Sequence, residues 1–123
     1  MADGPTRVER RRAARVVPPE PVTARIETGR DPVALGIVDD ISETGACVRT
    51  AHSFPVGDEL LLALGFAREG QPVSTTGRVV WQGRPGGNPG PLPHGLEWTY
   101  DGPHRARLHL LVKAMLAGGA PRA

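Results

Sequence analysis

Residues 58–66 read DELLLALGF and residues 73–81 read VSTTGRVVW, and these two stretches decide the fold. In the first, Leu60, Leu62, Leu64 and Phe66 recur at every second position; in the second, Val73, Thr75, Val79 and Trp81 keep the same period. A period of two places those side chains on one face of an extended chain, because successive residues of a strand point to opposite sides. Both segments therefore read as strands with one face in a core. Working outward, short runs rich in Val, Leu, Ile and Thr predict strands near 21–28, 33–40, 46–51, 58–66, 72–82 and 93–99, separated by turn residues at intervals suited to an all-β sheet or barrel.

The period changes after Tyr100. Leu108, Leu111, Val112, Met115 and Leu116 fall at i, i+3, i+4, i+7 and i+8, the apolar stripe of one helix lying on a core. Asp101 or Gly102 serves as its cap and Pro103 suits its first turn, while Gly118 and Gly119, followed by Pro121, stop it and leave a frayed tail over 118–123. The Gly- and Pro-rich segment 83–93, GRPGGNPGPLP, reads as a long hairpin loop. It lacks the Lys-Ser/Thr pair that a phosphate-binding loop needs after its glycines.

A chain of 123 residues supports one modest core, hence one domain. Its net charge of +2 conceals an asymmetry. Residues 9–16, ERRRAARV, hold four arginines, and residues 1–15 together are net positive while the rest is close to neutral. VVPPEP, with three prolines in four positions, follows as a stiff extended connector. The expected organisation is a basic flexible arm and connector over 1–20, a folded body over 21–117 and the tail. A nucleic-acid binder would spread positive charge over a folded face to meet many phosphates. Charge confined to an arm suits a small anion better, and a nonspecific nucleic-acid contact is the weaker reading.

Several classes are set aside on residue grounds. Cys47 has no partner for a disulfide, and no signal-type apolar run precedes the arm, so a cytoplasmic setting is expected. The longest apolar runs fall far short of the ~20 residues that span a bilayer. His52, His94, His104 and His109 include no pair at helical ligand spacing, so no metal is expected. No nucleophile motif or acid–base set announces an enzyme. Trp81 and Trp98 could stack on a base, but their apolar strand settings favour core packing, and Cys47 reads as a small buried hydrophobe.

The partner of the arginine arm lies in residues 38–50, VDDISETGACVRT, where Asp40, Ser42 and Gly45 stand at D-x-S-x-x-G spacing. Asp40 supplies a carboxylate acceptor and Ser42 a hydroxyl. Gly45 permits positive φ or close approach of another molecule. The same three residues also make an ordinary turn that bonds its own backbone. Taken together, Arg11-x-x-x-Arg15 followed by Asp40-x-Ser42-x-x-Gly45, with TGRVVWQ, the Gly-rich hairpin, HGLEW and the terminal helix in order, resemble the PilZ domain family over about residues 9–117. Trp98 stands where that family more often has Phe. The resemblance implies a small six-stranded antiparallel β-barrel with one C-terminal α-helix that acts as a cyclic di-GMP receptor rather than an enzyme. It implies Arg11, Arg15, Asp40, Ser42 and Gly45 as the ligand residues, no other cofactor, and an unnamed protein partner downstream. Arg10 and Arg12 flank the pair as further phosphate contacts or as general electrostatics. The alternative within the family is a protein-interaction module that has lost nucleotide binding.

Overall fold

The computed structural model describes residues 14–30, 32–83, 91–99 and 103–123. Six strands form: β1 (Thr23–Glu27), β2 (Ala34–Ile41), β3 (Gly45–Thr50), β4 (Glu59–Gly65), β5 (Val73–Gln82) and β6 (Leu92–Trp98), followed by helix α1 (Pro103–Ala117). All pairings are antiparallel, and the order β1-β2-β3-β6-β5-β4 closes on itself through β1 and β4. Closure removes every free strand edge among these elements, so a partner cannot add a strand to the sheet.

The alternation read in the sequence fills this barrel. Leu60, Leu62 and Leu64 of β4 and Val73 and Val79 of β5 are buried, with Thr75 between them. Burying each such aliphatic side chain contributes roughly 1.5–3 kcal/mol. Phe66, one residue past the end of β4, is only partly buried against the core. α1 lays Leu108 and Val112 into the same core, flanked by Leu111, Met115 and Leu116, which is the stripe predicted from the sequence.

Trp81 departs from the expected stripe. The register slips between Val79, opposite Leu96, and Trp81, opposite Gly95, so Val80 and Trp81 together face one residue of β6. This bulge shifts the parity of β5 and leaves Trp81 on the outer surface, 41% exposed, whereas Trp98 is buried as expected.

The connector and tail also differ from a reading that begins the body at Pro21. Val16 is 0% exposed and belongs to the core. Its backbone exchanges two hydrogen bonds with Ile41, at 2.9 and 3.0 Å. On its other side, Val17 N–H donates to the Pro121 carbonyl at 2.8 Å and Ala123 N–H donates to the Arg15 carbonyl at 2.9 Å. An apolar Val at 16 gives the chain a burial term, and the tail supplies partners for otherwise unpaired backbone groups. The loop expected over 83–93, except its ends, and the cap at Asp101 or Gly102 lie outside the described residues.

Candidate functional site

The site is a row of residues on the outer face of four adjacent strands. β2 carries a second bulge: Val38 pairs with Val48 and Asp40 with Cys47, so Asp39 and Asp40 together face one residue of β3. Val38 and Ile41 both remain buried, and the two aspartates between them turn outward. Cys47 pairs in turn with Gly95, and Gly95 with Trp81. Asp40, Cys47, Gly95 and Trp81 thus form one cross-strand row with a bulge at each end. Bulges re-aim side chains beside functional sites, and here two of them face each other across a narrow floor.

The floor is low because its central residues are small. A Cβ on Gly95 would overlap the Trp81 indole, which lies across that backbone. Cys47 lies beside the aspartates, its thiol 3.9 Å from Asp39 Oδ2. Burial, reinforced by the charges of Asp40 and Asp39, pushes the thiol pKa up to about 11. Cys47 is therefore a neutral floor residue and not a nucleophile at physiological pH.

The two aspartates are not equivalent. Asp39 forms an ion pair with Arg49. Asp40 Oδ1 lies 3.5 Å from Arg15 Nη1, an ion-pair distance too long for a good hydrogen bond. Among the described residues this buried oxygen has no hydrogen-bond partner. Burial raises the Asp40 pKa above the ordinary carboxylate value, with Arg15 opposing that shift and Asp39 adding to it. A buried carboxylate oxygen left without a donor costs free energy and is an acceptor ready for one.

Ser42 and Gly45 occupy the turn behind Asp40. Ser42 is 0% exposed. Its hydroxyl oxygen accepts from Thr44 N–H at 3.1 Å and Gly45 N–H at 3.2 Å, and its own N–H donates to the Gly45 carbonyl at 2.8 Å. A Cβ on Gly45 would overlap the Leu96 carbonyl oxygen. Gly45 therefore permits close approach of the chain's own β6, and its φ is not positive. The buried Trp98 indole N–H donates to the Ser42 carbonyl at 3.1 Å, a bond that Phe at this position could not make. On the outside, Glu43 contacts His109 of α1.

The structure thus brings Arg15, Asp40, Ser42 and Gly45 together, with Asp40 and Arg15 facing outward and the other two shaping the turn. Arg10, Arg11 and Arg12 lie outside the described residues. The sequence reading missed Trp81 as a surface residue and Gly95 as the gap beneath it. A signal existed for the bulge in β2, where Val38 and Ile41 stand three apart in a strand whose period is two. In β5, Val80 is apolar and conceals the corresponding slip. Elsewhere, a cleft of about 410 Å³ lies between Pro18–Glu20, Phe66–Glu69 and the Leu111–Met115 face of α1. It contains none of the motif residues, and its rim charges are matched in the pairs Arg68–Glu20 and Arg107–Glu69.

Comparison with known proteins bears on this geometry. The chain is similar in structure to the PilZ domain, with c-di-GMP, of YcgR from Escherichia coli: TM-score 0.71 and 11% identity over 89% of this chain and 93% of that one. It is also similar to the Bacillus subtilis inhibitor of motility MotI/DgrA, with TM-score 0.71, 17% identity, and 89% of this chain against 52% of the other. The PilZ domain of CeSA from a cellulose-synthesizing bacterium matches at TM-score 0.57 and 15% identity over 84% and 97% of the two chains. At these identities the likeness is one of fold. No curated protein sequence matches. The sequence profile described as PilZ domain matches residues 9–114, nearly the whole length, and the chain belongs to the PilZ domain family.

Proposed function

We propose that this protein is a receptor for cyclic di-GMP, which closes its arginine arm over the ligand and passes the signal to a protein partner in the cytoplasm. The observation that carries this reading is Asp40 Oδ1: buried, without a hydrogen bond among the described residues, and beside the Arg15 guanidinium. Guanine offers two adjacent donors, N1–H and the N2 amino group, which suit a carboxylate acceptor. Its O6 and N7 edge suits a forked guanidinium, as does phosphate. Acceptor and fork stand side by side here, and the exposed Trp81 indole offers a face on which a purine can stack. Arg11, four residues before Arg15 in the sequence, is the second arm contact in this reading. Ser42 and Gly45 hold the turn that aims Asp40. That the similar YcgR domain is described with c-di-GMP supports the same ligand class.

Calorimetric titration with cyclic di-GMP tests the reading. The intact protein binds, and Arg15→Ala and Arg11→Ala each weaken binding about ten- to a hundredfold, the ~1.5–3 kcal/mol of a charge-assisted contact. An intact protein that shows no heat and no melting shift with the nucleotide overturns it in favour of an interaction module without nucleotide. Binding to any duplex DNA with steep salt dependence would identify the arm as a nucleic-acid contact instead.

A further inference from the structure

Resting on the proposed ligand reading, the geometry points to residues 121–123 as a positioning element for Arg15, so that the segment after α1 sets the affinity of a site to which it contributes no side chain. The backbone of residues 15–17 lies between two partners. On one side, Val16 is paired with Ile41, one residue beyond Asp40. On the other, Val16 bridges Arg122, with Val17 N–H on the Pro121 carbonyl and the Arg15 carbonyl receiving Ala123 N–H.

The Ile41 pairing anchors position 16 alone, through its own N–H and carbonyl. The Arg15 carbonyl and the Val17 N–H, which flank that anchor and determine how residue 15 is directed, are both held by the tail. The tail is itself aimed by the end of α1. Gly119 N–H bonds the Leu116 carbonyl at 3.0 Å, Ala120 N–H bonds the Met115 carbonyl at 2.9 Å, and Gly119 adopts φ +91°. That pairing is a Schellman turn, which reverses the chain off the helix end. It delivers residues 121–123 to the arm strand.

Removing residues 121–123 frees the Arg15 carbonyl and the Val17 N–H without touching the Val16 side chain in the core. Arg15 then spends only a fraction of its time beside Asp40, and apparent affinity falls in proportion to that fraction. The work is done by backbone atoms, so Arg122→Ala, which keeps them, leaves affinity unchanged. The reciprocal holds as well: ligand that fixes Arg15 strengthens the tail pairing, and the end of α1 reports occupancy.

The experiment compares the intact chain, the chain lacking residues 121–123, Arg122→Ala, Arg15→Ala, and the truncation combined with Arg15→Ala. Cyclic di-GMP affinity is read by calorimetry and amide exchange is followed without ligand. The expected result is a roughly tenfold loss of affinity on truncation, no change for Arg122→Ala, and no further loss on truncating Arg15→Ala, because the tail acts through Arg15. Val17 exchange accelerates in the truncated chain while β4 and β5 do not change. Truncation without effect on affinity overturns the inference, and so does an equal loss in the Arg15→Ala background, which marks a general structural effect. If the intact chain does not bind the nucleotide, the ligand reading fails by itself. The exchange data then decide the positioning: unchanged Val17 exchange on truncation overturns it, and accelerated exchange supports it.

Discussion

Replacing Asp40 by Asn separates stability from binding at a single atom. Asp40 Oδ1 is buried, has no hydrogen bond among the described residues, and has the Arg15 guanidinium at 3.5 Å. A buried charged oxygen without a donor costs more than a neutral one in the same place, for which the penalty is already about 1–3 kcal/mol, and the Arg15 attraction offsets part of that excess. Asn keeps the shape and removes the charge, so the ligand-free protein gains about 1 kcal/mol, a rise of roughly 3–5 °C in Tm for a chain of this size. Affinity moves the other way. An amide cannot replace the carboxylate as acceptor for both guanine donors, and binding weakens about ten- to a hundredfold. The sign with pH follows from the Asp40 pKa, which lies above the ordinary value of 3.8. The folded state then holds its proton more tightly than the unfolded chain, and wild-type stability falls as pH rises from 3.8 through the folded pKa. The advantage of Asn is accordingly complete at neutral pH and disappears below 3.8. Thermal unfolding at pH 7 and pH 3.5, with calorimetry at pH 7, reads both quantities. Asn that lowers the apo Tm at pH 7 while leaving affinity intact would show that Asp40 is a structural turn residue and would refute the reasoning.

Trp81→Ala removes a surface ring with few core contacts, so apo stability changes little while ligand affinity drops by the ~1–3 kcal/mol of one base stack; unchanged titration would remove Trp81 from the site. Trp98→Phe keeps most of the apolar contact and leaves the Ser42 carbonyl without the indole N–H, lowering stability by about 1–2 kcal/mol in denaturant unfolding. His94 is 1% exposed; its Nε2 accepts from Phe54 N–H at 3.1 Å and its Nδ1 lies 3.0 Å from the Leu92 carbonyl. Burial holds its pKa below 6.5, so the unfolded chain takes up the proton first. Stability is therefore level above pH 6.5 and falls as pH drops from there to the depressed folded value, a slope that denaturant unfolding between pH 7.5 and 5 detects and that His94→Gln abolishes.

The strands and helix were legible because their apolar residues keep a clean period: Leu60, Leu62 and Leu64 in β4, and Leu108 and Val112 in α1, are buried as the pattern requires. The motif turn was legible as residues and only half legible as roles. Ser42 and Gly45 were read as ligand groups or as turn residues, and the geometry uses the hydroxyl and the missing Cβ inside the turn. Which of two neighbouring aspartates keeps an oxygen without a hydrogen bond depends on how Arg49 and Arg15 arrive from elsewhere in the chain, information that no local pattern contains. The outward turn of Trp81 depends on a slip against Gly95 that an apolar Val80 hides from any count of alternation.

The same slips give a closed barrel a locally shaped outer surface. A closed barrel with no free edge offers a ligand only its outer side chains, and strict alternation would scatter these at every second residue along each strand. Two bulges in the same row change that locally. Asp39 and Asp40 come outward together at one end, Val80 and Trp81 at the other, and the small residues Cys47 and Gly95 lie between them. The row has carboxylates on one flank, an aromatic face on the other and little height in the middle. No strand has to move to create it. Any response to a ligand therefore falls on what is laid over the barrel: residues 15–17, held between Ile41 and the tail, and the Glu43–His109 contact that links the motif turn to α1. Both attachments lead to the same helix, α1, the first through the turn that follows it and the second along its length.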